Sequence, residues 1–139
     1  MPLLLLMAAA FQSAEMIDLP ALDAAIERCE RAAVLPIFAA EARRRSNAVT
    51  AFYQEQSRIV AERFATANER RALRERNAAP APGQEPTVTD QELSLRQLAL
   101  DDRQRALDDQ RRLETMRQEA LDLKRSYFLA KCPAGRKAD

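Results

Sequence analysis

Apolar and polar residues recur every seven positions over the last third of this chain. Ala99-Leu100-Asp101-Asp102 returns as Ala106-Leu107-Asp108-Asp109 and again as Ala120-Leu121-Asp122-Leu123. Residues seven apart fall about 20° out of line on a straight helix and into line on a supercoiled one. The repeat therefore predicts a long helix with a partner. Its stripe runs Ala99, Ala106, Leu113, Ala120, Tyr127, with Leu95, Met116 and Leu123 beside it. The helix start is marked locally. Thr89 is placed to cap the next turn, Glu92 to reach back to the Thr89 amide, and Val88 and Leu93 to staple across the cap. Helix is expected over 89–131, ended by Cys132-Pro133.

Upstream, apolar residues at helical spacing predict a second long helix over about 37–77. At 100° per residue, Phe38, Ala42, Val49, Phe52, Tyr53, Val60, Phe64 and Ala67 share one stripe. Beyond Ala67 that stripe gives way to Arg70, Arg71, Arg74 and Arg76. A shorter helix is expected over about 21–34, opened by Asp18 and Pro20 and carrying Leu22, Ile26, Cys29 and Ala33 on one side. Pro36 should kink or break the helix near Leu35, because an interior proline deletes a hydrogen bond and clashes with the preceding turn, at about 3 kcal/mol. Residues 78–88 hold three prolines and Gly83 and are expected to be a connector. Two long helices joined this way fold back on each other. The expected class is all-α: an antiparallel two-helix coiled-coil hairpin with a short extra N-terminal helix, one domain over 15–139.

The second long helix carries more apolar surface than one partner covers. Leu93, Leu100, Leu107, Leu121 and Phe128 lie one position round from its main stripe, and the combined rows span roughly 150°, wider than a two-stranded seam. The short N-terminal helix is placed to cover Leu121 and Phe128. Leu93, Leu100 and Leu107 lie out of its reach and are the expected partner interface, for another protein or a second copy. The alternative is that arginine stems lie over these three leucines.

Cys29 and Cys132 are far apart in sequence, yet both fall near the open end of the expected hairpin. Counting back from a turn near Gly83, Cys132 faces roughly residue 35, which leaves Cys29 some 9 Å out of register. A disulfide needs Cα atoms closer than about 7 Å, so a kink at Pro36 must close the gap. A bond there would close a loop of about 100 residues, nominally worth about 4–5 kcal/mol. It would also agree with residues 1–14, MPLLLLMAAAFQSA, read as a signal peptide, although no Lys or Arg precedes the apolar run. The expected location is secreted or periplasmic.

Composition narrows the chemistry. Lys plus Arg is 22 against 21 for Asp plus Glu, interspersed rather than gathered on one face, which argues against a nucleic-acid partner. Histidine is absent, removing the commonest general base and metal ligand. A thiol-redox reaction is disfavoured because Glu27 and Glu30 flank Cys29 and Cys132 sits at a helix C-terminus. The paired aspartates 101/102 and 108/109 precede Arg105 and Arg112 by four residues in each leading position, so ion pairs account for them better than a cation does. Neither a catalytic site nor a metal, cofactor or small-molecule substrate is expected. The reading that remains is a non-enzymatic coiled-coil interaction protein, an adaptor, assembly factor or holdase. The alternative is an amphipathic protein lying on a membrane or envelope surface through its arginines, including the Arg43-Arg44-Arg45 run.

Overall fold

The computed structural model describes residues 17–80, 82–83 and 88–135, so the signal-peptide expectation for 1–14 lies outside the described residues. The chain is all-helical, with α1 (Leu19–Glu27), α2 (Arg31–Ala78) and α3 (Asp90–Lys131). At 1.5 Å per residue the two long helices extend roughly 70 and 60 Å.

Each helix start has a local cause. Asp18 Oδ1 accepts from the Ala21 amide at 3.0 Å, and Pro20 follows in the first turn, where its missing N–H has no partner to lose. Glu92 accepts the Thr89 amide while the Thr89 hydroxyl accepts the Glu92 amide, a closed capping box. Gly83 takes a left-handed φ of 85° in the connector, a conformation open to glycine at little cost.

The break between α1 and α2 differs from the sequence expectation. It falls at residues 28–30, and α2 runs straight through Pro36. The Cys29 amide donates to Ile26 O and the Glu30 amide to Ala25 O, with Cys29 left-handed at φ 53°. Those are the paired bonds of a Schellman cap. Glycine usually marks that position; here a cysteine occupies it, so the sequence carries no breaker signal.

Across α2 and α3 the contacts run in opposite senses along the chain. Arg31 meets Cys132, Glu41 meets Arg117, Gln56 meets Gln104, and Glu69 meets Arg96. On α3 the buried row is Leu93, Leu100, Leu107, Leu121 and Phe128, one every seven residues except at Glu114. On α2 the facing positions are Val34, Phe38, Phe52, Ile59, Thr66 and Leu73. Ile59, Leu100 and Leu107 form one apolar cluster with Phe52. At the open end Leu22, Ala25 and Ile26 of α1 join Val34, Leu121, Phe128 and Cys132 in a second. The short helix thus covers Leu121 and Phe128.

Polar layers separate the apolar ones. Gln56 and Gln104 exchange hydrogen bonds at 3.1 Å, and Arg103 bridges Glu55 and Glu62 at 2.7 Å each. Because of these layers the buried row of each helix lies one position round from the expected stripe. The buried face of α2 includes Glu41 and Glu55, and the most apolar face, with Val49, Tyr53, Val60 and Phe64, points outward.

Candidate interaction surface

The open end is tied in three ways. Cys29 and Cys132 are joined by a disulfide with their Cα atoms 5.5 Å apart. The reach comes from the left-handed turn at Cys29; a kink at Pro36 is not needed. Arg31 donates to the Cys132 carbonyl at 2.7 Å and lies over the Phe128 ring, putting a cation at the C-terminus of α3 where the helix dipole favours one. Lys124 pairs with Asp23, and Glu27 accepts from both Tyr127 and Lys131, so α1 is also held through its polar side. The Lys131 and Tyr127 hydrogen bonds hold the Glu27 carboxyl below its ordinary value.

Between the two apolar clusters sits a four-membered ionic layer. Glu41 takes a two-pronged hydrogen bond from Arg117, at 2.8 and 2.9 Å, and also accepts from Arg44, which reaches on to Glu114. Burial raises the Glu41 carboxyl, but the Arg44 and Arg117 hydrogen bonds outweigh it and hold the net value below ordinary. Hydrogen bonds to Glu41 and then Glu114 hold the Arg44 guanidinium above its usual range. The layer fixes register. A one-heptad slip would exchange leucine for leucine along most of α3, yet would carry Glu114 away from Arg44 to the level of Phe38 or Phe52, stranding a carboxylate beside an aromatic ring.

Acid should therefore unfold the protein through this layer. A carboxyl whose folded value is depressed contributes stability that is complete above its unfolded value and disappears as pH falls through the folded one. We expect urea midpoints to hold steady from pH 7 down to about 5 and to drop below about 4.3. Glu41→Gln should cost about 1–3 kcal/mol at pH 7 and flatten that drop. An equally steep acid limb in the variant would show that Glu41 is not its source.

The expected partner interface is corrected by burial. Leu93, Leu100 and Leu107 are 0%, 3% and 3% exposed, packed in the α2–α3 seam and closed to any partner. Leu100 and Leu107 are covered by Ile59 and Phe52 of α2. The stripe assigned to the seam stands outside instead: Leu113 is 66% exposed, Leu123 73%, and Met116 and Tyr127 also face outward. Both stripes are present in the sequence, and their roles are the reverse of those expected. The signal that separates them is charge: the buried row carries Glu114 in step with Arg44 on α2. The expected pairing of Asp101 with Arg105 and of Asp108 with Arg112 is replaced by another, and Asp108 accepts a hydrogen bond from Gln104. Asp102 and Asp109 take Arg105 and Arg112, while Asp101 takes Arg63 across the seam.

Among the described residues no three acidic, cysteine or histidine side chains gather as metal ligands, and no helix is long and apolar enough to cross a membrane. A shallow groove between α1 and α3 is lined by Asp23, Ile26, Glu27, Leu123, Lys124 and Tyr127. It continues the outward stripe of α3 toward the disulfide. Comparison with protein-family models, curated proteins and solved structures gave no match to this chain.

Proposed function

We infer that the protein is a non-enzymatic, exported coiled-coil hairpin, antiparallel with a short extra N-terminal helix, that works by holding another protein. The observation that carries this is the outward stripe of α3. Leu113, Met116, Ala120, Leu123 and Tyr127 follow one another at three- and four-residue spacing, the pattern of a second coiled-coil seam, and the four large side chains among them are exposed. A surface of that kind fits a partner helix, as in an adaptor, an assembly factor or a holdase. The disulfide supports an oxidising compartment.

Capture from the native compartment tests the reading. A bound protein should be retained by the wild type in high salt and lost by Leu113→Ser/Leu123→Ser, which alters only exposed positions and should leave helicity unchanged by circular dichroism. Light scattering should show a second copy filling the role if the wild type self-associates and the variant does not. If both proteins retain the same set of partners and show the same mass, α3 is not the binding face.

A further inference from the structure

The outer side of α2 has a different chemistry from that of α3. Residues 46–68 contain four charged side chains, Glu55, Arg58, Glu62 and Arg63. All four are committed to ion pairs: Glu55 and Glu62 to Arg103, Arg63 to Asp101, and Arg58 to Glu55. At 100° per residue none of the four falls in the row of Val49, Tyr53, Val60 and Phe64, so that row carries no charged side chain over about 30 Å. Its apolar members are Val49, Tyr53, Val60 and Phe64, all exposed. Arginines bound it at both ends, Arg43 on one side and Arg71 and Arg74 on the other; of the carboxylates at the far end, Glu69 is paired with Arg96 of α3 and Glu75 follows Arg74.

We propose that this face of α2 is a membrane-surface site, laying the protein along anionic lipid headgroups with Tyr53 and Phe64 entering the interface. The spacing decides for lipid over a partner helix. Val49, Tyr53, Val60 and Phe64 are separated by four, seven and four residues, with Ser57 standing where a coiled-coil seam requires an apolar side chain. Such a face cannot interlock with another helix along its length. A bilayer interface asks only for apolar area, aromatic side chains at headgroup depth and cations beside them. The terminal arginines supply the cations.

Co-sedimentation with phosphatidylcholine vesicles, with and without phosphatidylglycerol, tests the proposal with no protein partner present, so its failure would leave the α3 reading standing. The oxidised protein should bind only the phosphatidylglycerol-containing vesicles and be released by high salt. Arg71→Gln/Arg74→Gln should weaken binding about 25-fold, roughly fivefold for each arginine near an anionic surface. Tyr53→Ser/Phe64→Ser should weaken it at least about tenfold through lost apolar burial, with helicity unchanged. Equal binding to both vesicle types, no binding to either, or an arginine variant that binds like the wild type would each overturn it. So would tight binding to soluble polyglutamate without binding to vesicles, which would point to an acidic protein.

Discussion

Reducing the Cys29–Cys132 bond should lower stability by about 4–5 kcal/mol, most of what a thin helical protein of this size is expected to possess. The bond spans 103 residues, so in the chain-entropy view it removes a large share of the freedom of the unfolded chain. Cys29 holds a left-handed φ that costs a residue with a Cβ on the order of 1 kcal/mol, and that cost offsets part of the gain. The effect should be unevenly distributed. α1 has nine residues and buries Leu22, Ala25 and Ile26, which is little to retain a helix too short to persist alone. Reduction should therefore free α1 and expose Leu121 and Phe128 before α2 and α3 separate. Thermal unfolding with and without reductant measures the first part. Hydrogen exchange at the amides of residues 22–27 measures the second. Cys29→Ser/Cys132→Ser should behave like the reduced protein. A fall of under about 1 kcal/mol would mean that the ion pairs and apolar contacts of α1 suffice without the bond.

What the sequence discloses here divides by the range of the interaction. The Thr89–Glu92 box, the connector around Gly83 and the all-helical class depend on residues close in sequence, and the structure has them where the sequence indicates. The α1–α2 break does not show because its left-handed residue is a cysteine, held by a partner at the far end of the chain. The choice of seam is a still longer-range matter. Two stripes on α3 have comparable apolar content, and a face scored by hydrophobicity favours the one containing Leu113 and Leu123. The winning face is chosen by complementarity between the helices: Glu41, Glu55 and Glu62 of α2 look polar in isolation and become good seam residues once Arg117 and Arg103 of α3 stand opposite, as Glu114 of α3 does once Arg44 of α2 reaches it. The cysteine pair was legible as a matter of counting. The mechanism that closes the gap was not.

Phe128→Ala should be the most costly single substitution outside the disulfide, at about 3–5 kcal/mol. The ring is fully buried, 6.4 Å from the Phe38 ring centroid, and belongs to the cluster containing Leu22, Ile26, Val34 and Leu121. It is the point where all three helices meet, so the cavity left by its removal cannot close by moving one of them. The Arg31 guanidinium over the ring would lose its aromatic neighbour while keeping the Cys132 carbonyl. Leu123→Ala, five residues earlier on the same helix, provides the contrast. That side chain is exposed and should cost less than about 0.5 kcal/mol. Urea unfolding of the two oxidised variants compares them without altering the disulfide. Equal losses would put the seam of α3 on the wrong face, and the burial of Leu93, Leu100 and Leu107 would fall with it.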